Sequence, residues 1–171
     1  MKDIIILVGF MGTGKSAVGQ ALAAELDCPY FDTDLLVEKK TGLSIARIFE
    51  SRGEDYFRDL ESAVIQELFQ EEEAPFVLAT GGGILLREKN RLLLEEMGLL
   101  VNLTASRDEI LTRIGKGEAR PLLSSSNRKK KIEALLKERA MLYEPCHQKI
   151  DTSGKTIEEV TQEIIKELNL K

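Results

Sequence analysis

The sequence predicts an α/β fold of three layers, α/β/α, with a five-stranded parallel sheet at the centre. Three observations carry this. Short apolar runs alternate along the chain with stretches of helical periodicity, the pattern of strand–helix–strand crossovers. Runs such as Ile4-Ile5-Ile6-Leu7-Val8 and Phe76-Val77-Leu78-Ala79 are continuous, not alternating, which suits strands buried on both faces. Polar and glycine-rich motifs fall at the carboxyl ends of these runs, where open parallel sheets gather ligands. A length of 171 residues suits one domain spanning residues 1–171.

Residues 4–8 are the first strand. Gly9-Phe10-Met11-Gly12-Thr13-Gly14-Lys15-Ser16 follows, a complete G-x-x-x-x-G-K-S, and then a helix whose Val18, Leu22 and Leu26 share a face. Strand, glycine loop and helix are the context a phosphate-binding loop requires. The glycines let N–H groups turn inward without a Cβ clash, and the helix start adds orphan N–H groups and a positive dipole end. Gly12, Thr13, Gly14, Lys15, Ser16 and Ala17 are the candidate nucleotide ligands, with Lys15 reaching the outer phosphates and the Ser16 hydroxyl available to Mg²⁺.

After the break at Asp27-Cys28-Pro29, Tyr30-Phe31 enters a second strand that ends in Asp32-Thr33-Asp34. A short helix over 35–40 stops at Gly42, and Ser44 caps another through Phe49. Gly53 opens a longer helix to about 72, with Phe57, Leu60, Val64 and Leu68 as its apolar stripe. Pro75 breaks it, and the third strand, 76–79, runs into Thr80-Gly81-Gly82-Gly83. A helix over 88–97 closes at Gly98, and 99–103 is the fourth strand. Ser106-Arg107-Asp108-Glu109 has the spacing of a capping box ahead of Ile110, Leu111 and Ile114. Residues 115–127 have no periodicity, and so long an aperiodic stretch is usually functional or mobile. Helical spacing returns over 128–143 and ends at Pro145; 149–151 is a weak fifth strand. Thr156 to Glu159 is a second capping box, before the stripe Ile157, Val160, Ile164 and Leu168.

Composition excludes several functions. A net charge of −5 argues against a nucleic-acid binder. Cys28 and Cys146 form no metal-binding pattern and read as reduced, cytoplasmic thiols. No apolar run is long enough for a membrane span, and no cleavable leader precedes the first strand. An anionic substrate on an acidic protein requires arginines gathered locally.

A nucleotide site with Mg²⁺ needs a carboxylate. The third strand ends in Thr80, so the acid of motor ATPases is missing there, and Asp32 is the better candidate. In an extended segment Asp34 points the same way; either aspartate also reads as an ordinary helix cap. Arg58 reads alone as an exposed partner of Glu54, worth a few tenths of a kcal/mol, and Arg139 as a solvated position beside Glu138. Three successive glycines after a buried strand are costly in entropy, which implies that something approaches that backbone closely. No Asn-Lys-x-Asp guanine reader occurs, which argues against a GTPase switch. His147 has no base–nucleophile partner and reads as a surface residue, and Arg128 to Lys131 as a solvated charge run.

These residues together resemble the shikimate kinases, a P-loop family related to nucleoside monophosphate kinases. The likeness rests on Gly9 to Ser16, Asp32-Thr33-Asp34, the Gly-Glu-x-x-Phe-Arg-x-x-Glu pattern from Gly53 to Glu61, Thr80 to Gly83, Arg120-Pro121-Leu122-Leu123, and Glu138-Arg139 leading to Leu142-Tyr143. It departs at Ala140-Met141, where a proline often precedes the Leu-Tyr pair. The resemblance implies a P-loop kinase with a mobile lid at about 115–127 and acceptor-binding helices at about 34–62. It implies ATP-dependent phosphorylation of shikimate in aromatic amino-acid biosynthesis by a cytoplasmic monomer, with one Mg²⁺ accompanying ATP. Asp34 would hydrogen-bond the reacting hydroxyl, while Arg58 and Arg139 would hold the shikimate carboxylate. Gly81, Gly82 and Gly83 would line the acceptor, and Asp32 would meet Mg²⁺ through water beside Ser16. Lys15 and Arg120 would balance charge on the transferred group, and Arg113 would stack near adenine, with the segment after Asp151 closing the base pocket. Gluconate and nucleoside monophosphate kinases share the donor features, so acceptor-side residues must discriminate.

Overall fold

The computed structural model describes residues 4–73, 75–115, 128–144 and 146–170. Arg120 and all but the first residue of the expected lid lie outside the described residues. Five strands, β1 (Ile4–Val8), β2 (Tyr30–Asp32), β3 (Phe76–Ala79), β4 (Leu99–Thr104) and β5 (Gln148–Asp151), pair in the order β2-β3-β1-β4-β5. All four pairings are parallel, with Ile6 opposite both Leu78 and Leu100. The helices are α1 (Lys15–Glu25), α2 (Thr33–Thr41), α3 (Ile45–Glu71), α4 (Glu88–Met97), α5 (Arg107–Gly115), α6 (Arg128–Arg139) and α7 (Ile157–Glu167).

Alternate residues of β1 face opposite sides of the sheet, and each side has its own core. Ile4, Ile6 and Val8 pack with Ile65 and Leu68 of α3 and with Leu94 and Met97 of α4. Ile5 and Leu7 pack with Val18 and Leu22 of α1 and with Val160 and Ile164 of α7. The continuous apolar run is thus explained by burial on both faces.

α3 keeps the break expected at Gly53, where φ 82° and ψ 177° leave helical backbone between two helices. Several elements differ in detail from the sequence reading. The helix expected over 128–143 ends at Arg139, and Ala140–Tyr143 tightens into a 3₁₀ turn. Ser106 accepts the Glu109 N–H, but its own N–H donates to Ser153 Oγ at 2.7 Å, because the Glu109 carboxylate is occupied by Arg113 and the Gly154 N–H. The capping box at Thr156 is complete. Ile157, read as part of the apolar stripe of α7, is 48% exposed at the first turn, above the core. His147 is exposed, yet its Nδ1 accepts the Leu100 N–H at 3.0 Å and so helps seat the start of β4.

Candidate active site

The loop after β1 turns through positive φ at Gly9 (137°), Gly12 (82°) and Gly14 (97°), backbone that other residues rarely adopt. Gly14 caps α1 without a side chain, and no acid stands in the first turn. The helix therefore presents its N–H groups and dipole to the loop with no carboxylate of its own there. Lys15 is buried and donates to the carbonyls of Gly9 (2.8 Å) and Phe10 (2.9 Å), which stations the ammonium over the loop. Ser16 and Ala17, in the first turn of α1, are exposed.

Ser16 Oγ donates to Asp32 Oδ2 at 2.8 Å, and the Tyr30 hydroxyl donates to the same oxygen at 3.1 Å. Asp32 Oδ1 accepts the Asp34 N–H at 2.9 Å and so caps α2. Asp32 thus caps α2, as one reading of it expects, and also holds the Ser16 hydroxyl. Asp34 does not follow Asp32 along an extended segment, because Thr33 already begins α2. Asp34 sits in the first helical turn, and this turn aims it at the glycines after β3.

Those glycines need space more than unusual backbone. A Cβ on Gly81 would lie 2.5 Å from Glu61 Oε1 and 2.8 Å from Asp34 Oδ1. One on Gly82 would lie 3.0 Å from the Met11 nitrogen, so the turn abuts the phosphate loop. One on Gly83 would lie 2.5 Å from Arg58 Nη1. The Gly81 N–H donates to Thr33 Oγ1 at 2.8 Å. The Gly82 carbonyl accepts from the Tyr143 hydroxyl at 2.6 Å and from Arg139 Nη1 at 3.4 Å. Burial pushes the Tyr143 hydroxyl up to about 12, which keeps it a donor.

Arg58 does pair with Glu54, Nη2 to Oε1 at 2.9 Å, but it is only 6% exposed. Its Nη1 donates to Glu61 Oε2 at 2.5 Å. Glu61 is fully buried, and burial pushes its carboxyl up to about 7 against the pull of Arg58. Arg139 is 4% exposed, which overturns the solvated reading. Two guanidiniums and the Asp34 carboxylate thus surround the glycine turn, within reach of a planar anion and a hydroxyl.

On the other side of the loop, Arg113 reaches the Gly12 carbonyl (3.4 Å), Thr152 Oγ1 (2.9 Å) and the Thr152 carbonyl (3.0 Å). The Thr152 hydroxyl also lies 3.1 Å from the Thr13 carbonyl. Arg113, the phosphate loop and the segment after Asp151 therefore meet. Ser16 and Asp32 are hard oxygen donors, which fit Mg²⁺. Among the described residues no group of three or more acidic, His or Cys side chains could cage a metal.

The family model for shikimate kinase matches residues 11–169. The chain belongs to the shikimate kinase family. A shikimate kinase of Caldanaerobacter subterraneus subsp. tengcongensis is 45% identical over 97% of this chain and 95% of its own length. One from Geobacter sulfurreducens is 45% identical over 94% of this chain and 87% of its own. Among solved structures, a shikimate kinase from Acinetobacter baumannii in complex with shikimate superposes with a TM-score of 0.92 at 38% identity, covering 98% of this chain and 95% of that one. Family membership makes the chain a kinase that phosphorylates shikimate with ATP in aromatic amino-acid biosynthesis.

Several contributors escape a reading of the sequence alone. Glu61 stands within the Gly53–Glu61 pattern, three residues from Arg58, so helix spacing could have revealed its partnership. Tyr143 closes the Leu-Tyr pair, but nothing local assigns it a role. Thr152 carries no signal, because its contacts come from residues 139 and 48 positions away.

Proposed function

We propose that the crevice at the carboxyl ends of β1, β2 and β3 transfers the γ-phosphate of ATP to the 3-hydroxyl of shikimate. The observation that carries this is the abutment of two different halves. The phosphate loop of Gly9 to Ser16 lies against the turn of Gly81 to Gly83, and that turn is ringed by Asp34, Arg58 and Arg139. Arg58 and Arg139 come from separate helices and would clamp the shikimate carboxylate, which fixes the ring and aims one hydroxyl at Asp34. Asp34 orients that hydroxyl and accepts its proton as the new O–P bond forms. Phosphoryl transfer is mostly positioning and charge stabilisation, so the clamp does much of the catalytic work.

On the donor side, the loop N–H groups and the start of α1 bind phosphates, and Lys15 holds the outer ones. The family resemblance adds Arg120 to the same charge. Arg113, bonded to Thr152, walls the base pocket. Ser16, and Asp32 through water, would hold Mg²⁺, which when bound neutralises charge on the β- and γ-phosphates. The family resemblance also implies that the protein acts as a monomer. It works in the cytoplasm, in keeping with Cys28 and Cys146 as free thiols.

The test is ADP release from Mg²⁺-ATP against a panel of shikimate, gluconate and nucleoside monophosphates. Release with shikimate alone is expected. Release with a nucleotide and none with shikimate would overturn the reading.

A further inference from the structure

Each guanidinium nitrogen of Arg58 already faces an acid, but three bonds use three of its five N–H groups. Nη1 donates to Glu61, while Nη2 and Nε donate to Glu54. An incoming carboxylate can take the N–H groups left over, but it competes with both acids for the one positive charge. The Glu54 side chain is 43% exposed and can move into water, whereas that of Glu61 is 0% exposed and cannot. The acceptor carboxylate therefore shares Arg58 with Glu61, and where the acids compete it is Glu54 that yields.

That exchange leaves Glu61 in a poor position for a charge. Its Oε2 meets Arg58, but its Oε1 is buried with no hydrogen-bond partner. Oε1 and Asp34 Oδ1 converge on the space over Gly81, the point that a Cβ there would fill. Glu61 faces Arg58 from α3, Asp34 from α2, Arg87 from the start of α4 and Tyr143 from the turn after α6, while Glu54 lies on Arg58 and Arg139 beside Tyr143. An acceptor carboxylate adds a negative charge to this group, divides the attraction of Arg58 and expels water. Each change favours the neutral form of Glu61. The departure of Glu54 offsets little, because its charge is already partly in solvent.

We propose that Glu61 takes up one proton from solvent when the acceptor carboxylate docks on Arg58, so that acceptor binding and protonation of this buried side chain are a single linked event. The proton goes to Oε1. The carboxyl O–H that forms has Asp34 in front of it as an acceptor, which satisfies the orphan oxygen and steadies Asp34 for the reacting hydroxyl. Burial already holds the Glu61 carboxyl at about 7, so uptake falls in the working pH range. By linkage, acceptor affinity rises as pH falls through that range. The proposal rests on the reading of Arg58 as the carboxylate site.

The test is calorimetric titration of shikimate into the protein at pH 7, without nucleotide, in buffers of different ionisation enthalpy. Wild type should show uptake of about half a proton, since a group titrating near the working pH begins half charged. E54Q should keep this uptake. E61Q should lose it, and its shikimate affinity should stop changing between about pH 6 and 8. Binding by wild type with no buffer dependence, or equal uptake in E61Q, overturns the proposal and leaves the Arg58 reading intact. Unweakened binding by R58A overturns that reading instead. If E61Q does not fold, the infrared difference spectrum of wild type with ¹³C-labelled glutamate decides. A protonated-carboxyl band should appear on binding, and its absence overturns the proposal.

Discussion

At the scale of single residues, the two halves of the site should fail in different ways. Lys15 gives its ammonium to two loop carbonyls, and a methionine of similar length can fill the space of its buried stem. Lys15→Met should therefore leave a folded protein while cutting ADP release by ~10³-fold or more, the scale of a charge-stabilising cation in phosphoryl transfer. Thermal unfolding alongside initial rates checks both halves. Arg58→Ala removes a charged bond to the acceptor and should raise the shikimate KM by about 10- to 100-fold with the ATP KM unchanged; a loss confined to ATP would contradict the assignment. Tyr143 braces the glycine turn through the Gly82 carbonyl, which it shares with Arg139. Tyr143→Phe keeps the ring and deletes one hydrogen bond, so kcat/KM for shikimate should fall by about 2- to 10-fold. An undisturbed kcat/KM would remove it from the positioning of that turn.

At the scale of elements, Gly98 shows how a joint can depend on the absence of a side chain. Its backbone is extended, with φ −161°, which any residue could adopt. A Cβ there, however, would lie 2.9 Å from Ile4 Cβ and 3.0 Å from the Ile4 carbonyl carbon, with the Ile4 oxygen nearer still. Gly98→Ala should destabilise the fold by about 1–3 kcal/mol through overpacking, read as a lower urea midpoint at unchanged slope. In the sequence Gly98 shows only as a helix stop, because the clash lies with a strand 94 residues earlier. The same limit explains what else was and was not legible. The strands and the phosphate loop are local patterns, set by runs and spacings of a few residues. The end of α6 was overrun because Ala140–Tyr143 continues as a 3₁₀ turn, whose spacing imitates another helical turn. At Ser106, competition for Glu109 from Arg113 and Gly154 broke a box that local spacing favours. In the site, the identities of Asp34, Arg58 and Arg139 could be carried over from a family likeness. The burial of Arg58 and Arg139, the strut from Tyr143 and the exposed counter-ion Glu54 depend on packing between distant segments.

At the scale of the whole molecule, the charge buried beneath the acceptor site should shape stability. Glu61 carries a carboxyl raised from 4.5 to about 7, chiefly by burial. A carboxyl held up in the folded state contributes stability that is complete below its unfolded value and is lost as pH rises through the folded one. Asp151 and Glu159 act in the opposite sense. Hydrogen bonds from Ser153 and Thr156 hold their carboxyls below the usual range, so their contribution is present above it and lost on acidification. The two windows are separate, one below the ordinary carboxylate range and one between it and neutrality. Each tenfold change in proton affinity on folding is worth about 1.4 kcal/mol. Stability should therefore peak at about pH 5 and fall toward pH 8 by an amount of order 3 kcal/mol. Urea unfolding at half-unit pH steps measures this, and Glu61→Gln should flatten the fall. A wild-type curve level from pH 5 to 8 would show that Arg58 neutralises Glu61 fully. The protein would then hold a balanced ion pair where the geometry places a strained one, and the acceptor would find Arg58 with no acid ready to yield its charge.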